Sequence, residues 1–517
     1  MASKILFKDF LIVNQGIEKD KKVNIEVESE LIKRVGNFNV DNNYDQIIQG
    51  NGRYILPGFI DLHSHADLMN YADEGLSVKI NQGVTTEVCG QCGLGAAPLK
   101  DDIKKGWQKH MLIRNPLCNL PWNSTAEYFD HLTNNGLDNN LVYFIPHGLL
   151  RYYLKQGSKE KMSKAELRNL KKIIKKSFKE GAAGISLGLC YFPAVYSDYE
   201  ELKCLFESAA EYNRLISVHL KSEGAKILES LAEIIELKKA TGARVNISHL
   251  KVVGEENEYK LEKILAEIEK NNLSFDSYPY NFGSTSLEII IPPDFLEDNG
   301  VGILKEQIQR EKIKRMFKSG ENPYDNWENL PYLLGWDQIT ISALSSHKNR
   351  SMPRLSLQQL AEKWDMEAAD ACFKLLLADD NILMQDYYMR NEVIGKIIKN
   401  KSGAIGTDSL FSKQNPHPRT DSTYTKLLKK YVFEEQQISL ADAVYKATKR
   451  PAEILGLNDR GEIAAGKKAD LLIFSPQKLL QDNKNSGIQG VMINGSWKIK
   501  NSKYLKDQRP GEIIKFF

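Results

Sequence analysis

Short apolar runs alternate with longer amphipathic segments over most of the chain, from about residue 56 to residue 465. The runs are rich in β-branched and aromatic side chains and are bounded by polar or glycine-containing turns, which is typical of buried strands. Eight such strands are predicted, at 59–62, 84–88, 141–145, 182–186, 215–218, 245–248, 273–277 and 404–406. Strand–helix alternation on this scale indicates parallel strands joined by helical crossovers. The pattern therefore predicts an α/β fold built on a (β/α)8 TIM barrel, whose active site lies at the C-terminal ends of the strands.

The amphipathic segments carry local signals for helices. A serine followed three residues later by an acidic or amide side chain favours a helix start, and this spacing occurs at Ser163-x-x-Glu166, Ser356-x-x-Gln359 and Ser439-x-x-Asp442. The lysine-rich segment 167–178 carries its leucine, isoleucine and phenylalanine residues on one helical face and its lysines on the other. This separation predicts a helix whose lysines face solvent rather than a basic binding patch.

The flanks of the barrel segment have a different texture. Residues 1–56 and 466–517 contain short alternating segments separated by polar turns, which indicates antiparallel strands. We expect the two flanks to form one small discontinuous β-sandwich domain, and we assign 57–286 and 341–465 to the barrel. The charged, proline-containing stretch 287–340 follows the seventh predicted strand, and it is predicted to form an inserted lid subdomain over the barrel mouth.

Composition narrows the classes of partner. The 517 residues are 42% hydrophobic and 26% charged, and the net charge of +3 gives no electrostatic case for a nucleic-acid partner. The N-terminal segment is interrupted by charges too early for a secretory signal, and the sequence contains no apolar run long enough to cross a bilayer. We therefore expect a cytoplasmic protein without a membrane partner. Six cysteines are too few for a disulfide framework in a chain of this length.

Candidate metal ligands stand where the predicted strands end. His63 and His65 follow the first strand, and residues two apart on an extended chain project to the same side. Four further metal-ligating residue types follow the second, fifth, sixth and eighth strands: Cys92, His219, His249 and Asp408. Each alone has an ordinary structural explanation. Together they predict a transition-metal site at the barrel mouth, because the C-terminal ends of barrel strands converge.

The chain resembles the D-aminoacylase (N-acyl-D-amino-acid deacylase) family of the amidohydrolase superfamily, and the resemblance extends over nearly its whole length. The resemblance rests on Leu56-Pro-Gly-Phe-Ile-Asp-Leu-His-Ser-His65, Gly83-Val-Thr-Thr86, Gly90-Gln-Cys-Gly93, Tyr191-Phe-Pro193, Asp276-Ser-Tyr-Pro-Tyr280, His417-Pro-Arg419, Lys449-Arg-Pro-Ala452, Gly461-x-Ile-x-x-Gly-x-x-Ala-Asp-Leu471 and Arg509-Pro-Gly511. The matches at Cys92, Tyr280 and the His-Pro-Arg motif point to the deacylases within the superfamily. Hydantoinases and dihydroorotases typically bridge two metals with a carboxylated lysine after the fourth strand, and residues 184–191 contain no lysine.

The resemblance implies a zinc-dependent hydrolysis of N-acyl-D-amino acids to a carboxylate and a free D-amino acid. It implies one tightly held zinc on Cys92, His219 and His249, and a second, weaker site formed by His63, His65 and Asp408. The other cysteines (Cys89, Cys118, Cys190, Cys204 and Cys372) are assigned as structural thiols. Two alternatives stay open: a cyclic-amide hydrolase of the hydantoinase or dihydroorotase type, and a catalytically silent amidohydrolase-like scaffold.

Roles for individual side chains follow from the same resemblance. Asp408 is expected to take the proton of the attacking water and return it to the departing amine. Arg419, with Tyr280, is expected to hold the α-carboxylate of a small N-acylated amino acid, because guanidinium binds carboxylate bidentately. Lys251 is placed near the substrate side chain, where it either favours an acidic side chain or is bound to Tyr280 and selects nothing. Tyr191 either donates a hydrogen bond to the oxyanion or packs in a loop. The oligomeric state is left open.

Overall fold

The computed structural model describes residues 3–14, 21–40, 43–69, 77–108, 110, 120–296, 300–320, 322–344, 352–379, 381–411, 414–481 and 486–517. Cys118, which was assigned as a structural thiol, lies outside these residues, as do residues 297–299 and 321 of the predicted insertion.

Within the described residues there are twenty strands: β1 Lys4–Ile12, β2 Lys22–Glu28, β3 Leu31–Gly36, β4 Gln46–Gln49, β5 Tyr54–Pro57, β6 Phe59–Asp61, β7 Val84–Cys89, β8 Asn140–Pro146, β9 Gly184–Gly188, β10 Leu215–His219, β11 Arg244–Ile247, β12 Ser274–Ser277, β13 Thr285–Ser286, β14 Ile339–Ala343, β15 Leu383–Asp386, β16 Gly403–Ile405, β17 Leu471–Phe474, β18 Ile488–Ile493, β19 Ser496–Lys500 and β20 Lys503–Tyr504.

The α-helices of the barrel segment and its insertion run over Ser77–Ile80, Asp101–Trp107, Thr125–Asn135, His147–Lys155, Lys164–Lys179, Tyr199–Glu211, Ile227–Thr241, Leu261–Lys270, Gln307–Ser319, Leu330–Leu334, Leu357–Trp364, Ala368–Ala378, Asn391–Lys399, Arg419–Lys426, Leu440–Ala447 and Lys449–Leu455, with a final helix at Pro476–Gln481. A π-helix, Leu427–Glu434, continues the one that begins at Arg419. No helix in the described part of the chain is both long and apolar enough to span a bilayer.

The predicted barrel is confirmed. Strands β6 to β12 and β16 form one parallel eight-stranded sheet in the order β16-β12-β11-β10-β9-β8-β7-β6, and each overlaps one of the eight strands predicted from the apolar pattern. The first and last strands of the sheet meet at the barrel seam, where Leu62 N donates to Ile405 O at 3.3 Å and Asp408 N donates to His63 O at 2.7 Å. The chain segments that carry the candidate ligands are thereby brought to one end of a nearly closed barrel.

The helix-start signals also have their predicted effect. Ser163 with Glu166, and Ser356 with Gln359, form reciprocal capping boxes, in which each side chain pairs with the backbone N–H of the other residue. The lysine-rich segment lies within the helix Lys164–Lys179, whose buried residues include Leu170, Ile174 and Phe178. The apolar stripe of this helix packs into the main hydrophobic core, and its lysines lie on the solvent side.

Both ends of the chain contribute to a second sheet. Strands β1 to β5 and β17 to β20 are hydrogen-bonded into one nine-stranded sheet, joined where β5 pairs antiparallel with β17. The strands that were predicted for the small sandwich domain thus belong to one sheet. Most of its pairings are antiparallel, but β1 pairs in parallel with β4 and with β5. Apolar side chains from both termini form one cluster on this sheet.

The segment that interrupts the barrel is longer than the sequence pattern predicted. Strands β13, β14 and β15 form an antiparallel sheet in the order β13-β15-β14. The predicted end of the insertion, residue 340, therefore falls inside β14, and β15 returns to the same sheet at residues 383–386. The short helices between β14 and β15 have the same alternating character as barrel crossovers, which is why the sequence pattern assigned them to the barrel.

Candidate metal centre and substrate cavity

All six candidate metal ligands lie at the C-terminal end of the barrel, and each is more than nine-tenths buried: His63, His65, Cys92, His219, His249 and Asp408. His219 is the last residue of β10, and the others follow strands β6, β7, β11 and β16 within a few residues. Six side chains with this chemistry converge because parallel barrel strands tilt towards a common mouth.

One group of four donors surrounds Cys92. Its Sγ lies 3.2 Å from His63 Nε2 and 3.3 Å from His249 Nε2. With Asp408 added, one ligand atom from each of the four side chains lies within 4.8 Å of the others. A thiol, two imidazole nitrogens and a carboxylate oxygen are a donor set that suits zinc. The residues present therefore fit a bound transition metal.

His65 and His219 lie next to this group. His65 Nε2 is 3.2 Å from Asp408 Oδ1, which places it on the side predicted for the second site. The His219 ring lies 4.4 Å from the His249 ring, centroid to centroid. His219, His249 and Glu223 form a further group of donors within 4.8 Å of one another. The structure thus brings all six predicted ligands to one end of the barrel, but it groups Cys92 and His249 with His63 and Asp408, and it groups His219 with Glu223 and His249.

Three of the ligands are held in an uncommon backbone conformation. The φ angles of Cys92, His249 and Asp408 are 52°, 36° and 50°. Positive φ is rare for residues other than glycine and costs free energy that the surrounding fold must supply. A Cβ at Gly188 would lie 2.0 Å from the carbonyl oxygen of Cys92, so only glycine fits beside this loop. The backbone at the barrel mouth is therefore arranged to aim these side chains inward.

A salt bridge sets the charge of Asp408. Its Oδ2 lies 2.8 Å from Arg419 Nη1. Burial opposes ionisation of the carboxyl, but the positive charge of Arg419 outweighs it, with help from a hydrogen bond from His65, and the pKa of Asp408 is held well below its usual range. Asp408 is therefore a carboxylate at neutral pH.

Glu223 organises the opposite side of the centre. Its Oε1 lies 2.7 Å from Lys251 Nζ and 3.2 Å from His249 Nδ1, and its Oε2 lies 3.3 Å from His219 Nε2. Burial opposes its ionisation, but the charges of His219 and Lys251 lower the pKa of Glu223 well below its usual value. Burial and the neighbouring Lys251 lower the pKa of His249 to about 3. His249 is therefore a neutral imidazole, the form that binds metals.

Buried polar groups beneath the site hold the two strands at the barrel seam. Asp276 Oδ1 lies 3.2 Å from His63 Nδ1, which leaves Nε2 of that ring facing Cys92. Asp61 accepts hydrogen bonds from the backbone N–H and the hydroxyl of Thr407, both at 2.7 Å. Lys79 contacts Asp61 and lies 3.1 Å from Glu87 Oε1. This network connects the segment that bears His63 to the segment that bears Asp408.

A cavity opens from the metal centre towards the insertion. Its lining includes His65, His219, His249 and Asp408, the predicted substrate residues Tyr191, Lys251 and Arg419, and residues of the inserted segment such as Ile289, Trp327, Glu328, Leu330 and Asp386. Tyr191 Oη shares a hydrogen bond with Thr285 Oγ1 at 2.9 Å. The interrupting segment therefore forms one wall of the cavity.

The tyrosine that lines the cavity is not the one that the sequence predicted. Tyr280 is not among the lining residues; its hydroxyl donates to Pro418 O at 3.3 Å and its ring lies 3.9 Å from Lys426 Nζ. Tyr278 lines the cavity instead, with its ring 4.8 Å from the guanidinium carbon of Arg419. The sequence could not separate the two, because both follow β12 in the same motif and the turn between them decides which one faces inward.

Four residues of the site were given no role by sequence reasoning: Glu223, Asp276, Tyr278 and Cys190. Glu223 follows His219 by four residues, and Asp276 is the first residue of the motif Asp276-Ser-Tyr-Pro-Tyr280. Their positions in the sequence therefore offered a weak signal for both. Cys190 was assigned as a structural thiol, yet its Sγ lies 3.0 Å from His219 Nε2 and it lines the cavity.

Comparison with known proteins agrees with this geometry. Models described as amidohydrolase family match residues 46–283 and 390–498. An N-acyl-D-glutamate deacylase of Alcaligenes xylosoxydans xylosoxydans is 27% identical over 507 residues, covering 96% of this chain and 93% of the relative. A D-aminoacylase of the same organism is 26% identical over 495 residues, covering 92% and 90%. The chain belongs to the amidohydrolase family.

A solved structure shows the same fold. The crystal structure of an N-acyl-D-glutamate deacylase from Bordetella bronchiseptica, complexed with zinc and a phosphonate inhibitor, superposes with a TM-score of 0.82 at 23% identity and covers 99% of each chain. The family and the deacylases among the relatives identify this protein as a metal-dependent amidohydrolase. The filled set of ligand positions is inconsistent with the catalytically silent alternative, which requires lost ligands.

Proposed function

We propose that this amidohydrolase hydrolyses the amide bond of N-acyl-D-amino acids and that the reaction depends on bound zinc. The observation that carries the proposal is the contact of Cys92 Sγ with two imidazole nitrogens beside an ionised Asp408. Names of the relatives support the substrate class, since the chain matches an N-acyl-D-glutamate deacylase and a D-aminoacylase over nearly their whole lengths.

Zinc is the ion that best matches the donors. We assign the tight site to Cys92, His219 and His249, and a weaker site to His63, His65 and Asp408, with Cys92 close enough to His63 to contribute to both. A soft thiolate with imidazoles selects zinc over magnesium or calcium. When bound, the metal supplies Lewis-acid chemistry: it lowers the pKa of water and polarises the amide carbonyl.

Asp408 moves the proton. Its Oδ1 lies 3.2 Å from His65 and its Oδ2 is held by Arg419, so the carboxylate is oriented from both sides. It accepts a proton from the attacking water and returns it to the departing amine nitrogen, as the carbon–nitrogen bond of the amide breaks. Tyr191 lies at the cavity wall near His219, and we assign to it a hydrogen bond to the carbonyl oxygen of the amide.

The substrate carboxylate needs cations at the cavity wall. Arg419 and Lys251 both line the cavity on the side of Asp408, and Tyr278 lies against the Arg419 guanidinium. We assign the α-carboxylate to these three residues, with Tyr278 in the place that the sequence gave to Tyr280. Lys251 is already paired with Glu223, so it contributes charge to the cavity rather than an unpaired cation for a substrate side chain.

The test is release of free amine from matched pairs of N-acetyl-D- and N-acetyl-L-amino acids, with purified protein and added zinc. Hydrolysis of the D series, lost after treatment with a chelator and restored by zinc, is the expected result. Cys92→Ala should abolish release, whereas the matched change at Cys204, a buried position in the helix Tyr199–Glu211 outside the cavity lining, should retain it. Release from hydantoins or dihydropyrimidines but from neither acetylated series would reject the proposal in favour of ring opening.

A further inference from the structure

The wall that the interrupting segment contributes to the cavity carries two carboxyl groups, Asp386 on β15 and Glu328 beside Trp327. Asp386 is more than nine-tenths buried. One oxygen of each group, Asp386 Oδ1 and Glu328 Oε2, is buried without a hydrogen-bond partner. Buried acceptors are normally paired, because an unpaired one has lost its water without replacement. Both oxygens therefore await a donor that the described residues do not supply.

The carboxyl group of Glu328 is fixed in one orientation. Its Oε1 accepts hydrogen bonds from the backbone N–H of Glu223 at 3.0 Å and of Gly224 at 2.8 Å, and the hydroxyl of Ser222 donates to the same oxygen. These three bonds hold one oxygen and leave the other one, Oε2, free. A rigid acceptor of this kind binds a ligand donor without first losing its own conformational freedom.

The free oxygen of Asp386 faces the cavity. A Cβ on Gly283 would lie 2.9 Å from Asp386 Oδ1 and 3.5 Å from Tyr278 Oη, and all three residues line the cavity. The missing side chain of Gly283 thus leaves this oxygen accessible. Burial raises the pKa of Asp386 to about 7 and also raises the pKa of Glu328. A bound cation would offset the cost of ionising both groups.

The cations of the cavity lining belong to other carboxylates. Within the described residues, Arg419 pairs with Asp408, Lys251 with Glu223 and Lys221 with Glu233. The substrate α-carboxylate, assigned to Arg419 and Lys251, adds a further negative charge to the same space. Acidic groups are therefore in excess where the substrate side chain lies, and this excess favours a positive charge there.

Apolar side chains line the cavity together with these carboxyl groups: Val253, Ile289, Trp327 and Leu330. An apolar wall that includes acidic acceptors is complementary to an aliphatic chain that ends in an amine. The methylene groups of such a chain bury against apolar surface while the ammonium is paired elsewhere. An ammonium group has three N–H donors and no acceptor, so it can serve carboxylate oxygens without leaving an acceptor of its own unpaired.

We propose that Glu328 and Asp386 form the subsite for a cationic substrate side chain, so that this protein acts on N-acyl-D-amino acids whose side chain ends in an amine, such as D-lysine or D-ornithine. The inference rests on the hydrolysis proposed above and specifies the side chain of its substrate. The side-chain ammonium supplies the donors that Glu328 Oε2 and Asp386 Oδ1 lack. The α-carboxylate stays with Arg419.

The kinetic test compares N-acetyl-D-lysine with N-acetyl-D-norleucine, whose side chain has the same four carbons without the ammonium. In the zinc-loaded protein we expect kcat/KM for the lysine compound to be at least about tenfold higher. Glu328→Gln keeps the shape and removes the charge. It should lower kcat/KM for the lysine compound by about 10- to 100-fold and change that for the norleucine compound by less than about threefold.

Glu311→Gln is the matched control, because Glu311 is exposed on the helix Gln307–Ser319 and lies outside the cavity lining. It should change neither value. Equal kcat/KM for the two compounds in the unaltered protein would overturn the proposal, and this comparison needs no variant that folds. A preference for lysine that survives both Glu328→Gln and Asp386→Asn would overturn it as well.

Binding of the free amino acids separates this inference from the proposed hydrolysis. Calorimetric titration of D-lysine and of D-norleucine into the zinc-loaded protein requires no turnover, and we expect D-lysine to bind at least about tenfold more tightly. Equal or weaker binding of D-lysine contradicts the subsite. Tighter binding of D-lysine by a protein that releases no amine from either acetylated compound would uphold the subsite and reject the function proposed above.

Discussion

Arg419 Nη1 lies 2.8 Å from Asp408 Oδ2, and this salt bridge is buried at the junction of the metal centre and the cavity. The arginine is itself positioned by its own motif, since its backbone N–H donates to His417 Nδ1 at 2.9 Å and its Nη2 donates to Ser284 O at 2.9 Å. A buried pair supported by further hydrogen bonds holds one geometry. The His-Pro-Arg motif therefore orients the proposed proton-transfer residue as well as charging the cavity.

Replacing Asp408 with asparagine should remove proton transfer while retaining the shape of the side chain. We expect kcat to fall by about 10²–10⁴-fold, the usual contribution of a positioned general base. Steady-state kinetics on an N-acetyl-D-amino acid would measure the loss, and metal analysis of the variant would show whether the ion is retained. A variant that keeps its metal and loses less than about tenfold would place the proton acceptor elsewhere.

The cavity should favour neutral substrate side chains over acidic ones. Its described cations are already paired: Arg419 with Asp408, Lys251 with Glu223, and Lys221 with Glu233 at 2.6 Å. Arg419 and Lys251 are assigned to the α-carboxylate, so an acidic side chain would gain no further cation, whereas an apolar one would contact the wall formed by Val253, Ile289, Trp327 and Leu330.

A substrate series measures this preference. We expect kcat/KM for N-acetyl-D-leucine or N-acetyl-D-methionine to exceed that for N-acetyl-D-glutamate by at least about tenfold, which corresponds to about 1.4 kcal/mol. N-acetyl-D-glutamine is the matched control, because it has nearly the shape of the glutamate substrate without its charge. A preference for the glutamate compound over the glutamine compound would restore the sequence-based hypothesis that Lys251 selects acidic side chains.

Lys79→Met should strongly destabilise the fold. The ammonium is completely buried between Asp61 and Glu87 and donates to Thr407 Oγ1 at 2.6 Å. Removing one partner of a buried charge network leaves the other charges uncompensated, which costs about 3–5 kcal/mol. Chemical denaturation of the metal-free protein would measure the change in the free energy of unfolding.

The control for this prediction is the same substitution, lysine to methionine, at the surface. Lys171 pairs with Glu207 at 2.8 Å, and both side chains are more than two-fifths exposed. Lys171→Met should therefore change the free energy of unfolding by no more than about 1 kcal/mol. Similar effects of the two substitutions would show that the network beneath His63 does not support the barrel seam.

The stability of the protein should depend on the ionisation of Asp386. Burial raises the pKa of this carboxyl from 3.8 to about 7. Because the folded state binds the proton more tightly than the unfolded state, the carboxyl costs nothing below about pH 4, and stability is lost as the pH rises from about 4 to 7. Asp386→Asn removes the ionisable group and should therefore remove this loss of stability.

Thermal unfolding of the metal-free protein at several pH values would test this. We expect the Asn variant to unfold at a higher temperature than the unaltered protein at pH 8 and to differ little from it at pH 4. The opposite order, with the variant losing stability at pH 8, would mean that Asp386 is an ionised partner of Lys251 or Arg419 in the fold.

The apolar runs and the residue types that follow them were sufficient to predict the barrel and its candidate metal ligands. The eight apolar runs predicted the eight strands, because buried parallel strands are apolar on both faces. His63, His219 and Asp408 were recognisable since each follows such a run, and a barrel brings the ends of its strands together whatever their separation along the chain.

The tertiary structure decided the side-chain contacts, which the local sequence pattern does not specify. Glu223 reaches His219 and His249, and Cys190 reaches His219, through turns whose direction is set by packing against neighbouring strands. The same applies to the choice of Tyr278 over Tyr280 and to the extent of the insertion, since helices in a crossover and helices in a subdomain have the same amphipathic pattern. The sequence alone determined the elements and the chemistry at their ends. Which side chains touch, and therefore which charges are paired, was decided by the closure of the barrel and by the segment packed over its mouth.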